Sequence, residues 1–135
     1  FRFLEIKTWE RMVLMFQKEL AERIVSKEGS KSYGRISVMC QVFCDVKIEF
    51  IVSKNVFYPK PKVDSCIIKL NKKGTNFDLT EYANFIKAAF RQKRKKIKNN
   101  LNGIINEEGL KILGNRRPQD IYIEEYINIF QNYML

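Results

Sequence analysis

The sequence predicts an α/β protein that closes with a small all-helical segment, and three observations carry that prediction. An apolar run of strand length, Arg11 to Phe16, passes straight into text of helical period. Two more strand-like stretches, "DVKIEFIVS" and "SCIIKL", flank a proline-bearing connection. Beyond residue 73 apolar residues recur at spacings of three, four and seven, and no further strand is predicted.

The elements follow in order. The chain opens "FRFLEIKTWE", helix-like text with neither an initiator methionine nor a signal peptide, so it reads as the interior of a longer protein. "RMVLMF" is continuously apolar, the pattern of a strand buried on both faces of a parallel sheet. "QKELAERIVSKEG" sets Leu20, Ala21, Ile24 and Val25 on one helical face, with Gly29 placed to end it. A polar loop leads to "RISVMCQVFC", where Ile36, Met39, Val42 and Phe43 fall at helical spacing.

"DVKIEFIVS" alternates Val46, Ile48, Phe50 and Val52 with Lys47 and Glu49, which is the period of a strand with one wetter face. Two prolines in "NVFYPKPKVD" stop that strand, and Ser65 to Leu70 forms another, giving an antiparallel pair at the end of the sheet. The polar stretch Asn71 to Asp78 marks a boundary, so residues 1–73 form the α/β part and 74–135 the helical part. There Ala83, Ile86, Phe90, Ile97, Leu101 and Ile104 predict a helix capped by Asp78 or Thr80. "NEEGLKIL" and "IYIEEYINIFQNYML" predict two more, separated by "GNRRPQD".

Composition narrows the function classes. The chain has 135 residues, one ordinary domain's worth, with 25 Lys plus Arg against 15 Asp plus Glu and a net charge of +10. An acidic partner follows, and nucleic acid suits better than a membrane, because no segment sets its cations opposite an aromatic face. No apolar run nears the ~18 residues a membrane span needs, so a cytoplasmic, membrane-free protein is expected. With no histidine and three cysteines, imidazole acid/base chemistry and a four-thiolate metal site are both excluded. Cys40, Cys44 and Cys66 read as reduced thiols, the first two as small core residues four apart on a helix.

Two segments are candidates for function. "RQKRKKIK" carries Arg91, Lys93, Arg94, Lys95, Lys96 and Lys98; on a helix, Arg91, Arg94, Lys95 and Lys98 cover the outer arc as a cationic face while Phe90, Ile97 and Leu101 point inward. Each like-charge i,i+4 pair costs roughly 0.2–0.5 kcal/mol, a repulsion that a phosphate backbone would relieve. A charge run is also compatible with a merely solvated surface. In "VFYPKPKVDS", Pro59 and Pro61 stiffen an extended connection able to hold Phe57 or Tyr58 out to stack on an extruded base, or simply to cover the core.

These residues carry a resemblance. "QKELAERIVSKEGSKSYGRISVMCQVFCDV", "VFYPKPKVDS" and "AFRQKRKKIKNNL", in this order and spacing, resemble the C-terminal half of ribosomal RNA adenine dimethyltransferases of the KsgA type. "QKE" with "YGR-SVM", and "F-P-PKVDS", are its most specific signatures, while the last 35 residues match weakly apart from "RPQDI". The resemblance implies the last strands and helices of a Rossmann-like methyltransferase sheet followed by a small helical rRNA-binding domain. It implies an S-adenosylmethionine-dependent enzyme that dimethylates N6 of two adjacent adenosines near the 3′ end of small-subunit rRNA during ribosome biogenesis. By it, Phe57 stacks on the target adenine, and Arg91, Lys93, Arg94, Lys95, Lys96, Lys98 and Arg117 contact RNA on the assembling small subunit, in a parent protein that is a monomer.

The family's glycine-rich cofactor loop, ribose-binding acid and "NLPY"-type motif have no counterpart here, so no cofactor-binding residue is assigned and these residues alone are expected to be inactive. Two alternatives stay open: a non-catalytic RNA-docking assembly module, and a related large-subunit rRNA adenine methyltransferase. The "YGR-SVM" and "PKVDS" text favours the small-subunit branch.

Overall fold

Residues 2–135 are described by a computed structural model in which three strands and seven helices follow one another from Arg2 to Asn132. The α/β part comprises α1 (Arg2–Glu5), β1 (Arg11–Gln17), α2 (Lys18–Val25), α3 (Arg35–Phe43), β2 (Cys44–Val52) and β3 (Ser65–Lys72). The helical part comprises α4 (Leu79–Ala89), α5 (Ile97–Leu101), α6 (Glu107–Leu113) and α7 (Ile123–Asn132). One-turn 3-10 segments occupy Lys54–Val56 and Pro118–Asp120.

The sheet order is β1-β3-β2, and β3 pairs antiparallel with both neighbours. Register explains the core. Met12, Leu70 and Val46 form one row and Leu14, Ile68 and Ile48 the next, all facing α2 and α3, with Ile68 and Leu70 fully buried. Burying each of those two side chains contributes about 1.5–3 kcal/mol. Between Ile48 and Phe50 the register slips, leaving Glu49 as the extra residue of a bulge, and its carboxylate meets Lys69 at 3.2 Å.

Three expectations about the elements need correction, besides the placement of Cys44 given below. β1 is not buried on both faces of a parallel sheet; it alternates, with Val13 58% and Met15 51% exposed. Its pairing with β3 is antiparallel, and α2 and α3 cover only the face that Met12, Leu14 and Phe16 share. The helix from Lys18 stops at Val25 rather than running to Gly29, because Gln41 Nε2 donates to the carbonyls of Ile24 (2.9 Å) and Ser26 (2.7 Å). Gly29 instead takes a left-handed turn (φ +81) that lets its N–H reach the Gln119 carbonyl at 2.7 Å. The third correction, a broken basic helix, is described with the site.

Asp78 is the N-cap of α4, accepting the Glu81 N–H at 3.0 Å, and Asn106 caps α6 by accepting from Gly109 at 2.9 Å. Across the 73–78 connection the core is continuous. Phe43 of α3 packs edge-on against Phe77 (5.9 Å) and Tyr82 (6.0 Å), and the Tyr33 hydroxyl donates to the Ile121 carbonyl at 2.8 Å. Tyr82 also stacks against Phe130, and Phe90 against Tyr126. The helical part thus closes on α3 through rings rather than ion pairs.

All three thiols are buried and unpaired, Cys40 within α3 and Cys44 as the first residue of β2 rather than on the same helix. Burial pushes the Cys40 thiol up to about 12 and the Cys44 thiol up to about 11 from the ordinary 9.0. The phenols of Tyr33, Tyr82 and Tyr126 are raised by burial as well. Groups whose folded value is raised stabilise the fold fully below their unfolded value and lose that contribution as pH climbs toward the folded one. The melting temperature should therefore hold to about pH 9 and fall steadily toward pH 11. At pH 8 a disulfide-exchange reagent should label the thiols only after denaturant is added, and rapid native labelling there would contradict the buried placement.

Candidate nucleic-acid interface

The six cations of residues 91–98 do not lie along one helix. α4 ends at Ala89, residues 90–96 form turns, and α5 begins at Ile97. Like-charge repulsion opposes continuing the helix, and three hydrogen bonds secure the alternative. Asn100, fully buried, donates through Nδ2 to the carbonyls of Ala89 (2.8 Å) and Gln92 (3.2 Å). The Ile97 N–H, which a continuous helix would direct to residue 93, donates instead to the Arg116 carbonyl at 2.8 Å.

The result is a cationic turn held from below by a side-chain amide. Arg91, Lys93, Arg94, Lys95 and Lys96 are all exposed, while Lys98 is half-buried on α5. The Ile97–Arg116 bond brings Arg117, also exposed, beside the turn. None of these seven cations forms an ion pair among the described residues; the pairs there join Arg23 with Glu19, Lys69 with Glu49, Lys73 with Asp45 and Arg116 with Glu125. Among the described residues no carboxylate pairs with this charge, and all of its carriers but Lys98 are exposed.

The neighbours Arg116 and Arg117 divide their roles. Arg116 grips both carboxylate oxygens of Glu125 (3.0 and 2.7 Å) and donates to the carbonyls of Leu113 and Ile112, so hydrogen bonding to Glu125 holds its guanidinium firmly protonated. Arg117 engages Asp120 through its backbone alone, its N–H donating to the carboxylate and its carbonyl accepting the Asp120 N–H, and its side chain is exposed. Sequence reading had singled out Arg117, and missed Asn100. A buried asparagine gives no periodic signal, and only the fold reveals which carbonyls it serves. Replacing Asn100 by Leu leaves those two carbonyls without a donor, an expected loss of about 1–3 kcal/mol, measurable as an earlier midpoint in urea.

The second locus is the arm 57–64, at the carboxyl ends of β1 and β2. Ser53 Oγ caps the Lys54–Val56 turn, and the Asp64 carboxylate accepts the Lys54 N–H at 2.8 Å. The Asp64 carbonyl accepts the Lys18 N–H at 2.9 Å, so one residue fastens the arm to β2's end and to α2's start. Asp64 stood inside the quoted "PKVDS" text without an assigned part. The Tyr58–Pro59 peptide is cis.

Phe57 is half-buried and lines a concavity of about 330 Å³ with Met15, Gln17, Pro59, Pro61 and Val63; Tyr58 also borders it, from a fully exposed position. An apolar hollow with an aromatic wall at strand carboxyl ends is a suitable seat for a planar, uncharged ring. None of its lining residues belongs to the cationic turn. The two predicted loci are therefore distinct surfaces, one cationic and one largely apolar.

The family model described as "Ribosomal RNA adenine dimethylase" matches residues 1–134. Proteins named "Ribosomal RNA small subunit methyltransferase A" are similar: one from Wolbachia pipientis is 38% identical over 94% of this chain and 47% of its own length. One from Thermotoga petrophila is 36% identical over 93% and 48%, and one from Mycoplasma capricolum 41% over 89% and 50%. The chain spans about half the length of these curated relatives.

Among solved structures, a dimethyladenosine transferase from Plasmodium falciparum superposes with a TM-score of 0.82 over 99% of this chain and 63% of its own, at 23% identity. The 23S rRNA methyltransferase ErmE gives 0.68 over 95% and 56%, at 21%. At such identities the likeness speaks for the shared fold. The match along residues 1–134 places the chain in the ribosomal RNA adenine dimethylase family.

Proposed function

We propose that the protein to which this chain belongs is a small-subunit rRNA adenine N6,N6-dimethyltransferase that acts on two adjacent adenosines near the RNA 3′ end. The observation that carries this reading is the family match along residues 1–134, with small-subunit methyltransferases as its similar relatives. In this reading residues 1–73 close the methyltransferase domain, and residues 74–135 dock it on RNA of the assembling small subunit. In the same reading the protein works in the cytoplasm as a monomer.

The methyl donor is S-adenosylmethionine in this reading, and we assign none of the described residues to its cradle. At the turn from β1 into α2 stands Gln17, without a side-chain cap and without a glycine to admit a ligand backbone. The chain's own share of the reaction is substrate placement. The turn at 91–96, with Lys98 and Arg117, fixes the phosphate backbone by charge; Phe57, held by the Asp64-fastened arm, forms one wall against the extruded adenine. Fixing an adenine amine in reactive geometry converts an encounter into a near-unimolecular step, so placement by itself accelerates the chemistry.

The test is methyl transfer by the full-length protein from labelled S-adenosylmethionine to isolated small subunits, followed by nucleoside analysis. N6,N6-dimethyladenosine in small-subunit rRNA is the expected product. Tight binding without transfer would favour the assembly module, and transfer to large-subunit RNA the resistance-type branch.

A further inference from the structure

A groove of about 590 Å³ runs between α2, the loop before α3, and the cationic turn. Leu20, Ile36 and Phe90 form its apolar floor, and Lys31, Arg35 and Lys93 its rim. Lys31 and Arg35 are exposed residues of the α/β part, whereas Phe90 and Lys93 come from the helical part, so the groove bridges the two. Lys93 reaches across it, donating to the Lys31 carbonyl at 3.4 Å, and its ammonium lies over Gly34.

Charge in the groove favours an anion. Glu19, Glu22 and Arg23 also line it, but Arg23 and Glu19 neutralise one another at 3.0 Å. That leaves Lys31, Arg35 and Lys93 against Glu22 alone, and none of the three forms an ion pair among the described residues. Phe90, half-buried between Tyr33 and Tyr126, has its orientation fixed by edge-on and tilted ring contacts. A preset ring beside cations is the arrangement that holds single-stranded RNA, with the base on the ring and phosphates on the rim. A duplex keeps its bases stacked inside and would gain only the charge.

We propose that this interdomain groove is a second RNA site, which takes unpaired nucleotides of the strand already held by the cationic turn. The proposal rests on the RNA-docking reading of residues 91–98 and adds Lys31, Arg35 and Phe90 to it. Lys93 belongs to both surfaces, so a strand leaving the turn passes directly between Lys31 and Arg35. RNA held there is gripped by both parts of the chain at once, which orients the docked strand relative to the Phe57 arm.

The experiment compares full-length wild type with Lys31→Glu/Arg35→Glu and, separately, Arg94→Glu/Lys95→Glu. Binding of fluorescein-labelled decauridylate and of a hairpin duplex is titrated at several salt concentrations, with thermal melts as a folding control. The groove variant should melt like wild type, bind decauridylate about tenfold more weakly with a salt slope reduced by about 1–2, and lose much less affinity for the hairpin. Unchanged decauridylate binding and slope would overturn the groove. If the Arg94/Lys95 variant then still loses both RNAs, the docking reading survives without it; if neither variant loses affinity, both fall. Equal losses on the hairpin and on decauridylate would overturn the assignment to unpaired nucleotides.

Discussion

Phe57→Ala in the full-length protein is expected to lower methyl transfer to small-subunit rRNA by roughly 5- to 150-fold, the rate equivalent of about 1–3 kcal/mol for a base stacked on an aromatic ring. Affinity for the subunit should stay within about twofold, because binding is dominated by phosphate contacts made elsewhere. The asymmetry follows from placement: Phe57 lines an apolar hollow at the strand carboxyl ends, and no cation of the 91–96 turn lines it. Phe57→Tyr keeps the ring and should retain most activity. Tyr58→Ala is the informative control, since that ring is the fully exposed one. Loss of transfer with Tyr58→Ala and none with Phe57→Ala would assign the stacking to Tyr58.

Arg94→Glu/Lys95→Glu is expected to do the reverse, weakening RNA binding about 10- to 100-fold at low salt and reducing the slope of log K against log salt by about 2. Both side chains are exposed and outside every ion pair among the described residues, so the melting temperature should not fall below that of wild type. Removing like-charge repulsion from the turn even favours a slight rise. At high salt the variant and wild type should converge, because the lost term is counterion release. A slope equal to wild type would reduce the cluster to a solvated surface. Arg116→Ala offers the opposite signature: its guanidinium serves Glu125 and two carbonyls, so the fold should lose about 1 kcal/mol while the salt slope stays the same.

Much of the architecture was legible in advance. The period-two text of Val46, Ile48, Phe50 and Val52 marked β2, and the prolines at 59 and 61 marked where it had to stop. Asp78 declared itself as a cap because a short acceptor side chain ahead of an apolar period has few other uses. The cationic text and the aromatic before "YPKP" were visible as candidates for the same reason. Their chemistry is local, and residue type with spacing states it.

Three features were not legible. Continuous apolar text in "RMVLMF" predicts burial on both sides, because it cannot say which face a neighbour covers; β1 is covered on one. Helical period ran unbroken through residues 90–96, yet the chain turns there, because Asn100 and the Arg116 carbonyl bind backbone groups that a helix would have used. Nor does anything in "KSYGR" announce that Lys31 and Arg35 would face Lys93 across a groove.

The sequence by itself determined the class of fold, the order of its elements, the excess of positive charge and the residue types able to meet RNA. Tertiary structure alone decided where those residues stand: a turn in place of a helix, Phe57 half-sheltered with Tyr58 outside, and cations from two parts of the chain lining one groove. Periodicity and composition report each residue's immediate neighbours along the chain. Hydrogen bonds such as Asn100 to Ala89 and Ile97 to Arg116 join residues 11 to 19 positions apart, and their partners are known only once the chain has closed on itself.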